Sequence, residues 1–447
     1  MKLKKIISLG LIVVLVFMCS GCSLDFFSVE SLLSPPVQSG KNGELQKAFN
    51  TLMKDEKVQL KTPASGDFQS AFVLYDINND GVDEAFVFYS DASVESTVRM
   101  ALLEIVDDEW MISADIKGAG SGVFEISFND LDGDGLCEVF VSWSLFDNKI
   151  TRVVSVYEPA LSNDKTFTLE VIGNEYFNTK SFLDFNGDSK NDLVVVYLDD
   201  TAEVQKSLVR FFSLSPDKQL VKYSEISIDS SIVSVESIKN DVIKSGENSY
   251  ARLFIDCLKN EKTMFTDMVY WDAEQSIPIR AFAEPNLTTA RNSKTYCMDI
   301  DNDGYIEVPV VTTLKGDPKQ FSLTDYDNVY TFTLLNWIDV KGDTNKENVQ
   351  TLYNPLDGYL LKFTWNGRIS VRYDSIQKAL LFCVWNEATK TYGDELFSIA
   401  FRDGKDDAPY GELLYECDEG VYYYEITKIG ANYGITEDVL ISSFIKM

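Results

Sequence analysis

Histidine is absent from this sequence of 447 residues, and its absence excludes several kinds of chemistry. Without an imidazole there is no Ser-His-Asp triad, no Cys-His pair, no HExxH zinc site and no histidine general base. Basic residues are also scarce, with 40 Lys and Arg against 70 Asp and Glu, for a formal net charge of −30. Nucleic acid is therefore not an expected partner, because affinity for phosphate needs a basic surface.

Cysteine is sparse as well, with 7 in the chain and no Cys-x-x-Cys pair beyond residue 22. This spacing gives no support to zinc sites or thioredoxin-like chemistry. Four cysteines lie in or beside apolar runs, which favours small buried side chains over a disulfide framework. They are Cys137, Cys257, Cys297 and Cys383. The length predicts two or three domains, and a hydrophobic fraction of 45% is too high for a disordered chain.

The N-terminus has the features of an export signal. Lysines at the start precede an apolar run over residues 6–18, which is short for a transmembrane helix and typical of a signal peptide. The run ends in Cys19-Ser-Gly-Cys22, and small residues before a cysteine resemble the lipobox of bacterial lipoproteins. The resemblance implies a signal peptide over residues 1–21, a lipid such as palmitate on Cys22, and a location on the extracytoplasmic face of the bacterial cell membrane. Lipoboxes usually have leucine where Cys19 stands, and the alternatives are a plain secretory peptide or an uncleaved anchor.

Residues 22–58 form the predicted connection between the membrane and the first folded domain. The stretch 31–40 contains two prolines flanked by serine and glycine, which favours an extended spacer. Residues 43–55 then carry apolar side chains at helical spacing, which predicts a short amphipathic helix that packs on the next domain.

The middle of the chain repeats one pattern four times. Each unit has a strand-like run, a nine-residue acidic segment and a second run rich in Val, Phe and Tyr, as strands prefer. The acidic segments start at residues 76, 130, 184 and 299, in steps of 54, 54 and 115 residues. The long step leaves room for a hidden unit, and residues 253–271 keep the shape of such a unit without its acids. A period of this length fits about four strands, the size of a propeller blade.

Each acidic segment has the oxygen spacing of a cation-binding loop. Positions 1, 3 and 5 carry Asp or Asn, position 6 is Gly in three units, and position 9 is Asp or Glu. The candidate ligands are Asp76, Asn78, Asp80 and Glu84; Asp130, Asp132, Asp134 and Glu138; Asp184, Asn186, Asp188 and Asp192; and Asp299, Asp301, Asp303 and Glu307. Hard oxygens in this number favour Ca²⁺ over a transition metal. The third site is expected to be the weakest, because Ser189 must adopt a backbone shape that glycine takes freely.

The segments are not EF-hands, because position 12 is valine in all four and the flanking runs are strand-like. The pattern Asp-x-[Asp/Asn]-x-Asp-Gly-x-x-[Asp/Glu] between strands resembles the FG-GAP/VCBS calcium loop of integrin-α-like propellers. The resemblance covers residues 65–315 and implies a ring of blades with structural Ca²⁺. The Phe-Gly-Gly-Ala-Pro string of that family is absent. The alternative is a set of acidic hairpin turns without an ion, since Asp, Asn and Gly favour turns.

The predicted fold is mainly β, with a β-propeller of about 5–7 four-stranded blades over residues 59–367. Residues 330–340 and 358–365 are candidates for a sixth blade. A small C-terminal α+β module is predicted over residues 368–447, and it closes with a helix over residues 436–447 whose N-cap is Thr436.

Three classes of function fit an exported acidic repeat protein. The favoured one is a lipid-anchored cell-surface binding or scaffold protein with structural calcium and no catalysis. Its partner stays open between a surface protein, a peptide and a polysaccharide. The alternative is an extracellular hydrolase of glycosidase type on a propeller, which would need two acids outside the loops in a deep pocket. A substrate-binding lipoprotein of a transporter is less consistent, because strands do not alternate with long helices.

Overall fold

The computed structural model describes residues 41–53, 58–91, 97–145, 151–162, 166–199, 205–245, 248–260, 263–282, 289–316, 321–325, 328–340, 349–362, 368–403 and 410–447. The signal peptide, the spacer and the lipidated Cys22 that the sequence predicts lie outside these residues. No helix in the described ranges combines the length and the apolar character needed to cross a bilayer.

The described chain is mainly β, with six antiparallel sheets, one separate hairpin and three short helices. Helix α1 (Lys41–Leu52) corresponds to the helix predicted over residues 43–55. Its Leu45 and Phe49 are fully buried against one face of sheet 1, where Phe49 contacts Phe72 edge to face. The first helix is therefore held by the sheet that follows it in the chain.

Sheets 1 to 3 follow one another along the chain. Sheet 1 contains β1 (Val58–Leu60), β2 (Phe72–Tyr75), β3 (Glu84–Asp91), β4 (Val98–Val106) and β5 (Glu109–Lys117). Sheet 2 contains β6 (Gly122–Asn129), β7 (Glu138–Ser144), β8 (Arg152–Leu161) and β9 (Phe167–Phe177). Sheet 3 contains β10 (Thr179–Leu183), β11 (Asp192–Asp199), β12 (Lys206–Leu214) and β13 (Leu220–Ser227).

Sheet 4 contains β14 (Ser234–Ser245), β15 (Asn248–Asn260), β16 (Thr263–Asp272) and β17 (Ile277–Arg280). Sheet 5 contains β18 (Val308–Thr312), β21 (Thr333–Ile338), β22 (Val349–Asn354), β23 (Tyr359–Lys362) and β29 (Phe444–Lys446). The hairpin of β19 (Ser322–Asp325) and β20 (Asn328–Thr331) is inserted between β18 and β21. Sheet 6 contains β24 (Ile369–Asp374), β25 (Ala379–Asn386), β26 (Thr391–Arg402), β27 (Glu412–Cys417) and β28 (Gly420–Ile426).

The sheets are connected by shared hydrophobic cores in chain order. Sheets 2, 3 and 4 are simple antiparallel meanders, whose second strands are buried on both faces because alternate residues point to opposite sides. In β3, Phe86 and Phe88 face sheet 2 while Val87 faces α1. In β7, Val141 belongs to that same core, and Phe140 belongs to the core shared with sheet 3. Further cores join sheet 3 to 4, 4 to 5 and 5 to 6.

The expectation that residues 330–340 and 358–365 form a sixth blade is wrong. Residues 330–340 and the described part of 358–365 do not form a sheet of their own, because they contain β21 and β23, which pair within the sheet that begins with β18. The inserted β19–β20 hairpin lengthens this unit and hides its period. From residue 368, where a small α+β module is predicted, sheet 6 follows and shares a hydrophobic core with sheet 5.

The C-terminal residues are divided between two sheets. Helix α2 (Lys428–Asn432) follows sheet 6, and Thr436 caps α3 (Glu437–Ser443) by accepting a hydrogen bond from the Val439 N–H, as predicted. The helix ends at Ser443 instead of residue 447, because β29 pairs with β23 of sheet 5. None of the five described cysteines forms a disulfide. Cys257, Cys297 and Cys383 are buried, as expected of small core side chains, whereas Cys137, expected to be buried as well, is only half-buried.

Candidate metal centres

The four acidic segments occupy equivalent places in four sheets. Loop 1 (residues 76–84) joins β2 to β3, loop 2 (130–138) joins β6 to β7, and loop 3 (184–192) joins β10 to β11. Loop 4 (299–307) precedes β18, and a single bridge between Met298 and Glu307 stands where the other units have a first strand. The predicted equivalence of the four segments is therefore seen in the fold.

The carboxylate at position 1 of each loop accepts the backbone N–H of position 6. The distances are 2.8 Å for Asp76 with Gly81, 3.0 Å for Asp130 with Gly135, 2.9 Å for Asp184 with Ser189 and 2.8 Å for Asp299 with Gly304. The carboxylate at position 5 then accepts the N–H of position 7. The distances are 2.8 Å for Asp80 with Val82, 2.8 Å for Asp134 with Leu136, 2.9 Å for Asp188 with Lys190 and 2.9 Å for Asp303 with Tyr305. One hydrogen-bond frame is thus repeated four times.

The acid at position 9 lies beneath each loop and holds its beginning. It accepts the backbone N–H of position 2 and is at most 5% exposed. The distances are 2.9 Å for Glu84 with Ile77, 2.7 Å for Glu138 with Leu131, 3.0 Å for Asp192 with Phe185 and 3.0 Å for Glu307 with Ile300. This contact uses one carboxylate oxygen and leaves the second one directed elsewhere.

Carboxylate oxygens converge in the two loops with four acids. In loop 2, one oxygen each of Asp130, Asp132 and Glu138 lie within 4.8 Å of one another, and in loop 4 those of Asp299, Asp301 and Asp303 do so. Neither Glu138 Oε1 nor Glu158 Oε2 receives a hydrogen bond in the described part of the chain, although both residues are at least nine-tenths buried. Buried carboxyl oxygens without a hydrogen-bond partner are costly, and a hard cation such as Ca²⁺ fits this donor set.

Burial changes the proton affinity of the position-9 acids. It raises the pKa of Glu84 and of Glu307 to about 7 and that of Glu138 to about 8, and neighbouring carboxylates add to the effect. Burial also raises the pKa of Asp192 to about 6, although the Phe185 N–H and the Tyr223 hydroxyl, which donate to it, act in the opposite direction. A cation in each loop would favour the ionised form of these groups.

A second row of acids, which the sequence analysis missed, lies across the sheet from position 9. The register of β3 with β4 sets Glu104 opposite Glu84, and that of β7 with β8 sets Glu158 opposite Glu138. In sheet 5, β18 and β21 bring Asp339 to the same place. The available signal was an acid 20 residues after position 9 in units 1 and 2. In unit 5 the β19–β20 insertion lengthens this spacing.

The second-row acids connect neighbouring sheets. Glu104 Oε1 accepts the backbone N–H of Phe167 in sheet 2 at 2.7 Å. Glu158 Oε1 lies 3.4 Å from the Lys218 ammonium, which comes from sheet 3. Asp339 accepts a short hydrogen bond from Arg252 in sheet 4. Loops 1, 2 and 4 therefore lie beside acids that also contact a neighbouring sheet.

Sheet 4 has no acidic loop, and the hidden unit predicted at residues 253–271 is out of phase. Its residues form β15 and β16, the second and third strands of sheet 4, whereas loops 1, 2 and 3 precede the strands β3, β7 and β11. Asp256 lies within β15, fully buried, and Arg291 donates to its Oδ1 at 2.9 Å. An arginine side chain thus compensates the buried acid of this sheet.

An open cavity of about 450 Å³ lies beside loop 1. Its wall combines Asn78, Asp80, Glu84 and Glu104 with apolar side chains of sheets 1 and 2. Glu84 and Glu104 are both at least nine-tenths buried, and each accepts a backbone N–H. Their position in the wall makes this the acidic cavity of most interest among those in the described residues.

The comparisons with known proteins yield only weak similarity. No protein-family model matches the chain, and no curated protein matches it significantly. The chain is similar to the exotype rhamnogalacturonan lyase YesX at 12% identity and a TM-score of 0.27, over 81% of this chain and 70% of that chain. It is similar to a mutant levansucrase of B. megaterium at 12% identity and a TM-score of 0.24, over 69% and 92% of the two chains. Similarity at this level carries no conclusion about activity.

Proposed function

We propose that this protein is a lipid-anchored cell-surface binding or scaffold protein, built as a β-propeller whose blades carry structural Ca²⁺. The observation that carries the proposal is the hydrogen-bond frame repeated in all four loops, with a buried acid at position 9 beneath each one. Repetition of a site in sheet after sheet is typical of a structural role, since a catalytic centre gathers its groups at one place.

The propeller arrangement is supported by the sheets and their cores. Sheets 2, 3 and 4 are four-stranded meanders, and hydrophobic cores link all six sheets in the order of the chain. Loops 2 and 3 lie between the first and second strands of their sheets, and loop 1 lies between β2 and β3, where β2 pairs with β3 as β6 pairs with β7 and β10 with β11. These features agree with the resemblance of the loops to the FG-GAP/VCBS type.

Thermal melts test the calcium. The full chain, purified in detergent, is compared in millimolar Ca²⁺ and in chelator. A cation that binds only the folded loops stabilises the fold by about 2.7 kcal/mol per site at 100 times Kd. Asp303→Ala and Asp134→Ala should each reduce this gain more than Asp188→Ala, because loops 2 and 4 contain more carboxylates. An unchanged melting temperature across the two media would mean that the loops are only turns.

Metabolic labelling tests the anchor. A tagged fatty acid should label the wild-type protein in the membrane fraction, and Cys22→Ala should abolish the label. Cys19→Ala is the matched control, because it changes a cysteine three residues away. Label that persists in Cys22→Ala would refute the lipoprotein assignment.

A second candidate, an extracellular hydrolase, is favoured by the cavity beside loop 1. Its wall contains Glu84, whose pKa burial raises to about 7, as a general acid requires, and Glu104. Each of these acids also fixes a backbone N–H, which suits a structural role better. Polysaccharides incubated with wild type and Glu104→Gln decide the matter: products formed by wild type alone would favour the hydrolase.

A further inference from the structure

Lys218 extends from sheet 3 onto the ligand positions of loop 2. Its ammonium nitrogen contacts Asp132 Oδ2, lies 2.7 Å from Asp134 Oδ2 and lies 3.4 Å from Glu158 Oε1. The lysine belongs to the β12–β13 hairpin, so the contact crosses from one sheet to the next. A positively charged group of the protein itself is therefore bound at positions 3 and 5 of a candidate metal site.

The hairpin turn holds Lys218 in an unusual backbone conformation. Its φ is +57°, in the left-handed region that lysine rarely adopts. Ser215 closes the turn: its carbonyl accepts the Lys218 N–H at 2.9 Å, and its hydroxyl accepts the Gln219 N–H at 3.1 Å. The turn thus fixes the starting direction of the lysine side chain.

Lys218 contacts the carboxylate oxygens of loop 2 that accept no hydrogen bond from the loop itself and that a cation would use. Asp134 Oδ1 already accepts the Leu136 N–H, and Asp132 Oδ1 accepts the Asp134 N–H at 3.3 Å, so the Oδ2 atoms of both remain. Both Oδ2 atoms contact Lys218. An ammonium has three hydrogens, whereas Ca²⁺ takes about six to eight oxygens. One lysine therefore leaves the buried Glu138 Oε1 without a donor.

The sequence around Lys218 repeats in the preceding unit. Residues 214–218 read Leu-Ser-Pro-Asp-Lys, and residues 161–165 read Leu-Ser-Asn-Asp-Lys, 53 residues earlier. This spacing is close to the 54 residues between loops 1 and 2. The lysine is thus part of the repeat pattern. Residues 163–165 lie outside the described part of the chain, so the inference concerns Lys218 alone.

We infer that Lys218 is a tethered competitor of the divalent cation at loop 2. In the absence of metal, its ammonium holds the carboxylates of the loop and connects sheet 3 to sheet 2. When a cation binds, the ammonium must leave both Oδ2 atoms, so metal affinity is lowered and the contact between the sheets is loosened. The inference rests on the proposed calcium role of the loops. It also sets loop 2 below loop 4 in affinity, although both contain four carboxylates.

The test compares Lys218→Gln with Lys222→Gln in the full chain purified in detergent. Lys222 is the matched control, because it is a half-exposed lysine of β13 that pairs with Glu225 at 2.9 Å and does not contact the loop. Lys218→Gln should melt at a lower temperature than wild type in chelator and should regain the difference in millimolar Ca²⁺. Calorimetric Ca²⁺ titration should show one site whose affinity rises about tenfold, because a like charge has been removed from the site.

Two further variants keep the result interpretable. Lys218→Arg retains the charge and should resemble wild type in chelator, with no rise in Ca²⁺ affinity. Asp134→Asn combined with Lys218→Gln should abolish the gain in affinity, since it removes a ligand of the same loop. Lys222→Gln and Lys218→Arg therefore separate the effect of the competing charge from simple damage to the hairpin.

The outcomes distinguish this inference from the proposed function. If Lys218→Gln lowers the melting temperature equally in both media, while wild type binds Ca²⁺, Lys218 is an ordinary ion pair and the competitor role is overturned. If neither protein binds Ca²⁺ in calorimetry, the calcium role of the loops fails, and the inference fails with it. A Ca²⁺-dependent recovery together with the rise in affinity supports both.

Discussion

The buried acids of sheets 4 and 5 differ in the groups that compensate their charge. In sheet 5, Glu307 lies beneath loop 4 with a raised pKa, and one of its oxygens accepts the Ile300 N–H. In sheet 4, Asp256 is equally buried, but Arg291 donates to it and Thr266 and Cys297 supply further hydrogen bonds. The comparison teaches that this fold accepts a buried acid when a cation is nearby. The cation is an arginine in sheet 4 and, as we propose, a metal ion in the loops.

Sheet 4 also supports the loop of its neighbour. Arg252 is fully buried and donates to Asp241 in sheet 4 and to Asp339 in sheet 5. Asp241 Oδ2 accepts the Ile306 N–H of loop 4 at 2.7 Å. Sheet 4, whose buried acids pair with arginines, thus fixes one end of an acidic loop. Its ion pairs are expected to stabilise the fold independently of metal.

The largest effect is expected from Arg291→Met, which leaves Asp256 buried without its ion-pair partner. Breaking a buried ion pair costs about 3–5 kcal/mol, because the remaining charge is desolvated and uncompensated. The free energy of unfolding should therefore fall by this amount in chelator and in Ca²⁺ alike, as measured by chemical denaturation. Lys390→Gln, which breaks an exposed pair with Glu387, is the control and should leave stability unchanged. A loss that Ca²⁺ restores would contradict the distinction between the two sheets.

The features that the sequence predicted depend on local spacing. The loops, α1 and the Thr436 cap each follow from residues a few positions apart, whose side chains share one turn. The ion pairs of sheet 4 could not be predicted in this way. Arg291 lies 35 residues from Asp256, and Arg252 lies 87 residues from Asp339. Their pairing depends on strand register and on the contact between sheets, which no local pattern encodes.

The unit boundaries show the same limit. The sequence predicts the hidden unit at residues 253–271 from the shape of the repeat, but in sheet 4 a short connection of β14 to β15 stands where sheets 2 and 3 have their loops. The acids Asp241 and Asp256 of this sheet lie within the strands and pair with arginines. In sheet 5, the β19–β20 hairpin separated strands that are neighbours in space. Insertion and substitution within a repeat therefore removed the periodic signal while the sheet itself was kept.

The next largest effect is expected from pH acting on the loops without metal. The pKa values of the position-9 acids are raised in the folded chain, to about 6 for Asp192, about 7 for Glu84 and Glu307, and about 8 for Glu138. The folded state then binds more protons than the unfolded state, so stability is complete below the ordinary carboxyl pKa and is lost as pH rises through these values. Melting temperatures in chelator should fall between about pH 5 and 8.

Calcium should remove this decline, because a bound cation favours the ionised carboxylates. A series of melts in millimolar Ca²⁺ over the same pH range provides the comparison. Arg291→Met should show the wild-type pH dependence in chelator, since it changes sheet 4, which has no acidic loop. Identical pH profiles with and without Ca²⁺ would show that the acids of the loops do not hold the ion.

A smaller effect of opposite sign in the two media is expected from Glu138→Gln. The glutamine oxygen can still accept the Leu131 N–H, so the loop keeps its frame. In chelator above about pH 8, where Glu138 is ionised, the change should raise stability by about 1 kcal/mol, because a charged carboxylate is no longer desolvated in the core beside Glu158. In Ca²⁺ the same change removes a ligand charge and should lower stability. Glu109→Gln, at an exposed acid of β5, is the control for charge alone and should have little effect in either medium.

The smallest effect is expected at Ser189, which occupies the position that glycine occupies in the other three loops. Its φ is +70°, near the +88°, +92° and +91° of Gly81, Gly135 and Gly304. A Cβ added at any of these glycines would meet nothing within 4 Å, so the cost of a side chain there is conformational and not steric. The left-handed backbone costs an ordinary residue about 1–2 kcal/mol, and the greater freedom of unfolded glycine offsets about 0.5–1 kcal/mol.

Ser189→Gly should therefore stabilise the protein by about 0.5–1 kcal/mol, and Gly135→Ser should destabilise it by a similar amount. The hydrogen bond from the backbone of position 6 to Asp184 is kept in the first variant, because it uses the N–H and not the side chain. Chemical unfolding of both variants in chelator measures the backbone effect, and repetition in Ca²⁺ shows whether a relaxed loop 3 gains affinity. If both substitutions destabilise the protein, Ser189 contributes a contact of its own through its side chain, and its presence in loop 3 is an adaptation instead of a strained replacement for glycine.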